Sequence, residues 1–236
     1  MHTEIISIDG PSGSGKTSIG KILARDLNCK FISSGSIYRL ITKGVIELQK
    51  SNIFFQDLNS FDEIYDAFFS NQFKVKVLYL NNTECLIEYK DLNHKRIHEH
   101  LSFSTDLYTV KNSELTSKLS KISVVREAVS LFLKEFVTKN GLTVIEGRDI
   151  GSVVFKNAKL KIYIDSPLEL RAKRRLSQSS NKEGLRELVK RDTEDINREN
   201  SPLIVPDGSV ILVNEQQPIE DLVEMIKSEY ESIKLS

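Results

Sequence analysis

Residues 10–17 read Gly-Pro-Ser-Gly-Ser-Gly-Lys-Thr, and no other run constrains the chain as tightly. The run matches, without a mismatch, the pattern of a loop that wraps phosphate groups. Glycines at 10, 13 and 15 let the backbone turn its N–H groups inward and leave room for phosphate oxygens. A helix starting directly afterwards adds the partial positive charge of its N-terminus. Lys16 is placed to reach β- and γ-phosphates, and the Thr17 hydroxyl is placed to bind Mg²⁺. Chance would produce such a match in about one chain in a hundred of this length. The flanks agree with the mechanism. Residues 4–9, Glu-Ile-Ile-Ser-Ile-Asp, read as a buried strand, and Ile19, Ile22, Leu23 and Leu27 mark one face of a helix over 16–27. Strand, loop and helix together predict a nucleoside triphosphate ligand, without saying which reaction uses it.

Length and charge narrow the remainder. The 236 residues suit one large domain or two small ones, with a core that needs no disulfide or metal staple. A hydrophobic content of 39% beside 28% charged residues predicts a folded globular chain. Basic and acidic side chains number 33 each, so there is no general electrostatic drive toward nucleic acid or an anionic membrane, and neither is expected as a partner. Anion binding must therefore come from a local basic cluster. No stretch reaches the roughly 18–20 apolar residues of a membrane helix. Met1-His2-Thr3-Glu4 does not open a secretory leader. Cys29 and Cys85 lie far apart without metal-ligand spacing, which predicts reduced thiols and a cytoplasmic location.

Further along, Lys30-Phe31-Ile32 predicts a short strand and residues 36–49 a helix. The 51–70 segment is Phe-rich and less regular. Residues 73–80 and 84–89 predict a hairpin turning at Asn81-Asn82-Thr83, and the connection is local. Residues 93–112 are ambiguous between helix and strand; helical spacing would bring His94 and His98 to one face. A single long helix is expected from about Ser113 to Lys139. Strands are expected at 142–146, 160–165 and 210–213, and helices at 167–178, 183–197 and after Pro218. Short apolar strands alternating with helices predict an α/β fold with a parallel sheet covered on both faces.

The basic runs then stand out. Ser33-Ser34-Gly35-Ser36-Ile37-Tyr38-Arg39 opens the second helix, and Gly147-Arg148-Asp149-Ile150-Gly151-Ser152-Val153-Val154 follows a strand. Arg171-Ala172-Lys173-Arg174-Arg175 and Arg191 to Arg198 lie on later helices, the second followed by Ser201-Pro202-Leu203. Singly, each has an ordinary reading. The 171–175 run could be a solvated helix face. Arg191 and Asp195 could be an i,i+4 pair. Arg148 and Asp149 could pair at a strand end, Ser34 could cap a helix, and Arg39, Ser117 and Arg126 could serve structure alone. The histidines read as surface polar groups.

In this order, and together with the phosphate loop and Val125-Arg126-Glu127-Ala128, these runs resemble bacterial-type cytidylate kinases from Ile8 to the last helix. The resemblance implies a phosphate-loop nucleoside monophosphate kinase fold. Its core would cover 1–50, 113–170 and 199–236, its inserted acceptor-binding subdomain about 52–112, and its lid about 171–198. It implies phosphoryl transfer from ATP to CMP or dCMP with Mg²⁺, by a chain that is a monomer by default. ATP would lie on Gly10, Pro11, Ser12, Gly13, Ser14, Gly15, Lys16, Thr17 and Ser18, with Thr17 toward the metal. Arg39 and Arg148 would hold the acceptor phosphate. Ser34, Ser117, Arg126, Asp149 and Arg198 would surround the cytosine, and Arg191 and Asp195 would face the ribose. Lys16, Arg148, Arg174 and Arg175 would act on the transferring group, the last two from the lid. The chain departs from the family pattern at Ser33 and Glu146, where aspartate is usual, and at Glu194, often arginine. Its 91–117 segment also looks longer than usual. Two other readings are a small phosphate-loop kinase for another nucleotide or metabolite, and a non-catalytic nucleotide switch.

Overall fold

A computed structural model describes residues 4–50, 76–79, 84–90, 96–102, 107, 110–178 and 185–235. The 51–70 segment, the turn at 81–83, His94 and residues 179–184 lie outside the described residues. Five strands form a parallel sheet: β1 (Ile5–Asp9), β2 (Lys30–Ser33), β6 (Thr143–Glu146), β7 (Leu160–Asp165) and β8 (Val210–Val213). Their order is β2-β6-β1-β7-β8, so the strand feeding the phosphate loop is central. Every residue of β1 is buried, as a strand covered on both faces requires. Three more strands, β3 (Lys76–Tyr79), β4 (Glu84–Lys90) and β5 (Arg96–Ser102), form a separate antiparallel sheet.

The helices are α1 (Lys16–Asp26), α2 (Ser34–Lys50), α3 (Val110–Leu119), α4 (Ser123–Asn140), α5 (Leu168–Gln178), α6 (Leu185–Asn197) and α7 (Ile219–Leu235). Two compact units emerge. The first holds residues up to Ser34 and from Ser130 onward; the second is Gly35–Val129. In the first, Ile6, Ile8, Val144, Ile162, Ile164 and Leu212 of the sheet meet Ile19 and Leu23 of α1 and Leu222, Ile226 and Tyr230 of α7 in one apolar cluster. In the second, Ile37, Leu40 and Val45 of α2, Leu115 and Leu119 of α3, and Val125 of α4 are buried.

One expectation needs correction, and one open region is resolved. The single helix over 113–139 is two helices. Between them Lys121 N and Ile122 N reach back only three residues, to Lys118 O and Leu119 O at 3.2 and 3.1 Å. The freed carbonyls find side chains: Ser120 Oγ donates to Ser117 O at 3.1 Å, and Arg126 Nη1 to Ser120 O at 3.0 Å. A helix end satisfied in this way is a stable stop, and hydrophobic periodicity alone does not reveal it. The ambiguous region around the histidines contains β5, so helical spacing does not apply to His98. It pairs with Glu88 across the ladder, and His100 with Leu86. Cys29 is in no disulfide, and burial pushes its thiol up to about 11. No helix among the described residues is long and apolar enough to cross a membrane.

Helix α7 is fastened to β1's entry by a polar contact at the edge of the core. Tyr230 is fully buried, and its hydroxyl donates to Glu4 Oε2 at 2.5 Å. Lys159 Nζ donates to the other oxygen, Oε1, at 2.5 Å. These hydrogen bonds, Lys159's first, hold the Glu4 carboxyl below its ordinary range. Its stabilising effect is present above the unfolded-state value and is lost as pH falls through the folded one. Tyr230→Phe is expected to lower the unfolding free energy by about 1 kcal/mol at neutral pH. It should also lose less stability than the parent between pH 7 and pH 3. Urea denaturation at both pH values measures each effect.

Candidate active site

The carboxyl edge of the parallel sheet is polar while its body is apolar. Asp9, Ser33, Glu146 and Asp165 end four of the strands, and Asn214 follows the fifth. Ser33 is level with Glu146, and Ile8 is paired with Glu146 on the other side. Ligands of open α/β sheets bind beyond this edge, and the phosphate loop leaves from its middle strand.

The loop is shaped as the motif demands. Gly10 has φ +147°, and a Cβ there would lie 2.1 Å from the Ile164 carbonyl oxygen. Gly15 has φ +96°, and its Cβ would meet Asn214 Nδ2 at 2.3 Å. Asn214 in turn donates to Ser14 O at 2.8 Å, so the end of β8 clasps the loop from outside. Ser12 and Ser14 are buried. Lys16 begins α1 and is 4% exposed. Its Nζ donates to Pro11 O at 2.7 Å and Ser14 Oγ at 3.3 Å, curling back over the loop. Burial, with the nearby charge of Arg148, brings its pKa down to about 7, against the opposing pull of Glu146, Asp9 and Asp195.

Thr17 Oγ1 donates to Glu146 Oε1 at 3.1 Å, and Ser33 Oγ donates to the same oxygen. A hydroxyl whose only proton goes to a carboxylate presents lone pairs elsewhere. Thr17 therefore fits Mg²⁺, which prefers oxygen ligands and completes its shell with phosphate and water. Among the described residues no group of three or more His, Cys, Asp or Glu is arranged around a metal.

The Gly147–Val154 element follows β6. Asp149 is 4% exposed and leads into one turn of π-helix, Ile150–Val154, where Val154 N reaches Asp149 O at 3.1 Å. Such turns recur at functional sites. This one is held by Asp9, whose carboxylate accepts from Ile150 N at 2.8 Å and Gly151 N at 2.7 Å. Burial raises the Asp9 pKa to about 6 against those two hydrogen bonds. Gly147 lies close to Ser34, the first residue of α2. Arg148 Nε donates to Asp195 Oδ2 at 3.0 Å, and Arg198 Nη1 is 3.4 Å from Asp195 Oδ1. Burial opposes the Arg148 charge, yet Asp195 and Glu146 outweigh it and raise its pKa. Arg191 lies half-buried on α6.

On α5, Arg174 is turned toward the end of β8. It donates to Ser166 Oγ at 2.9 Å, Asn214 Oδ1 at 3.0 Å and Glu215 O at 2.7 Å. The Arg175 side chain lies outside the described residues. In the second unit, Arg39 is buried and donates to Leu107 O at 3.1 Å and Ser113 Oγ at 2.8 Å. Arg126 there lies over the Tyr38 ring at 5.7 Å, and Ser117 is half-buried on α3. The first unit thus gathers Lys16, Arg148, Asp195 and Arg198. Sequence reasoning gave no site role to Asp9, Arg171, Asp192 or Asn214. Asp192 and Arg171 stood inside quoted motifs, but their partners are remote in sequence.

A parallel sheet in this order, with a lysine-bearing phosphate loop on its central strand and arginines over the same edge, defines a phosphate-loop kinase of α/β build. A solved structure from Thermus thermophilus shares the fold, with a TM-score of 0.51, 14% identity and coverage of 97% of this chain and 98% of that one. The cytidylate kinase family model matches residues 6–232. A cytidylate kinase of Fusobacterium nucleatum is 32% identical over 99% of this chain and 100% of its own length. One from Chlamydia caviae is 34% identical over 94% and 95%. The chain belongs to the cytidylate kinase family. It is also 34% identical to a bifunctional pantoate ligase/cytidylate kinase of Prochlorococcus marinus, of which it spans 42%.

The Lys16 environment makes a prediction. A lysine with a pKa near 7 is mostly neutral at pH 8, and an arriving polyphosphate restores its charge. ATP binding at pH 8 should take up about 0.9 proton per site. Titration calorimetry in buffers of different ionisation enthalpy measures this uptake, and Lys16→Met should abolish it.

Proposed function

We propose that the protein transfers the γ-phosphoryl group of ATP to CMP or dCMP, giving ADP and CDP or dCDP. One observation carries the reading. In a chain of the cytidylate kinase family, Arg148 and the buried Asp149 stand at the same sheet edge as Lys16, with the end of α6 supplying Asp195 and the residue just after it, Arg198.

The chemistry asks for positioning more than for a base. A phosphate oxygen of CMP attacks the γ-phosphorus, and the bond from that phosphorus to the β–γ bridging oxygen breaks. The attacking oxygen is already anionic near neutrality, since a phosphomonoester has a second pKa of about 6. The obstacle is repulsion between two polyanions. Lys16 and the loop amides take the β- and γ-phosphates, and Arg148 grips the acceptor phosphate with a fork that stays charged. Thr17, backed by Glu146, would hold Mg²⁺, which supplies further charge neutralisation on the donor. Arg174 and Arg175 would reach the transferring group from α5, with Arg174 first leaving Ser166, Asn214 and Glu215. Arg191 and Asp195 would face the ribose, and Ser34 and Arg198 the base. Within the second unit, Arg39, Ser117 and Arg126 carry the same proposal for the acceptor nucleotide. Closure of the 171–198 region over the nucleotides would exclude water as a competing acceptor.

Cytosine presents an amine donor beside an N3 acceptor, and uracil reverses both. A carboxylate at Asp149 would accept from the amine and repel the uracil oxygen, and a buried site built on hydrogen bonds rejects the wrong edge strongly. Coupled measurement of ADP formation with CMP, dCMP, UMP, AMP and GMP is expected to show CMP and dCMP well above the rest. A flat response across the five would exclude the reading. Asp149→Ala should lower kcat/KM for CMP by about tenfold to a hundredfold, and by much less for UMP. Equal losses with both nucleotides would remove Asp149 from base selection.

A further inference from the structure

The outer side of the phosphate loop is held by two residues to which the reaction above assigns no role. Arg171 on α5 and Asp192 on α6 are each 8% exposed and form an ion pair through Arg171 Nη1 and Asp192 Oδ2. Both also engage the backbone of Ser12. Ser12 N donates to Asp192 Oδ1 at 3.3 Å, and Arg171 Nη1 donates to Ser12 O at 3.1 Å. Arg171 Nε donates to Ser166 O at 2.9 Å, which fixes the guanidinium at the start of its own helix. Behind it, a Cβ on Gly13 would come within 3.0 Å of the Arg171 carbonyl oxygen. One loop residue is therefore fastened at its N–H and its C=O by a charged pair from two helices.

Three residues after Asp192, on the same side of α6, Asp195 engages Arg148 and Arg198. A single helix thus ties the donor loop through one carboxylate and the acceptor-side arginines through another. Buried pairs of this kind seldom add net stability over apolar replacements, which leaves geometry as what this pair supplies.

We infer that Arg171 and Asp192 are positioning residues that hold the phosphate loop in its ATP-receiving shape and link that shape to helix α6. The inference rests on the donor half of the proposed reaction only.

Three variants separate this role from general support of the fold. Asp192→Asn and Arg171→Lys each weaken the tie. Arg171→Met with Asp192→Leu removes both charges and leaves no buried ion unpaired. Dissociation constants for MgATP and for CMP are measured separately by calorimetry, beside thermal midpoints. The expected result for the folded double variant is MgATP affinity lower by about tenfold or more, the effect of losing hydrogen bonds to charged groups. CMP affinity should stay within about twofold, and Arg171→Lys, which keeps the charge without the fork, should lose less MgATP affinity than the double variant. Unchanged MgATP affinity in the folded double variant overturns the inference. Equal losses for MgATP and CMP overturn it as well, because the pair would then only support the fold. Amide exchange of the parent protein gives an independent reading that needs no variant to fold. The Ser12 amide should be protected without nucleotide, and exchange at the unprotected rate overturns the tie. A protein that binds MgATP normally and phosphorylates no CMP would end the proposed reaction while leaving this inference standing.

Discussion

An ammonium group buried at the end of the central strand is the constraint around which the site is organised. Lys16 lies 4% exposed between a carbonyl and a hydroxyl of its own loop, and burial alone would drive off its proton. Taking a charge out of water is expensive unless partners replace the water. Here Glu146, Asp9 and Asp195 pull the other way and leave the group poised near neutrality. A structural lysine would find a carboxylate and stay fully charged. Among the described residues Lys16 makes no ion pair, although carboxylates surround it at longer range. Its charge is completed only by an anion arriving from outside, which is the property a polyphosphate receptor needs.

The surrounding carboxylates each hold something other than the lysine. Asp9 takes two backbone N–H groups of the turn after Asp149, Glu146 takes the hydroxyls of Thr17 and Ser33, and Asp195 takes Arg148 and Arg198. Each acid therefore positions one element and tempers the local positive field. The arginines are kept charged and aimed without binding the loop lysine. Such preorganisation is where the stabilisation of a transferring phosphoryl group comes from, since few groups must reorient as charge moves.

Much of this was readable from local sequence because the physics is local. The phosphate loop follows from glycine geometry over eight residues. The strands at 5–9, 143–146 and 160–165 follow from short apolar runs, and α7 from a proline before an amphipathic stripe. What was not readable depends on contacts between distant residues. The stop between α3 and α4 is made by side chains of Ser120 and Arg126 acting on carbonyls, inside a pattern that otherwise continues. Strand β5 is fixed by its ladder with β4, not by its own composition. The Asp9 clasp spans more than 140 residues in sequence, and so does the bond from Arg171 to Ser12. In the 171–175 run, surface-like charge spacing gave no sign that Arg171 turns inward while Arg174 turns toward β8.

The departures at Ser33 and Glu146 fit together in the same frame. Against the aspartates that the resemblance leads one to expect at both positions, β2 ends on a hydroxyl and β6 on a carboxylate longer by a methylene. The two positions are level neighbours in the ladder. The shorter Ser33 leaves room for the longer Glu146, and its hydroxyl donates to Oε1, the oxygen that also takes Thr17. A flexible side chain is thereby held by two hydrogen bonds, which offsets the extra rotamer freedom of glutamate. A neutral hydroxyl at 33 adds no negative charge beside the loop, where an aspartate would repel an incoming polyphosphate. The Thr17 hydroxyl keeps a fixed proton acceptor throughout. Ser33 and Glu146 together fix the orientation of the Thr17 hydroxyl.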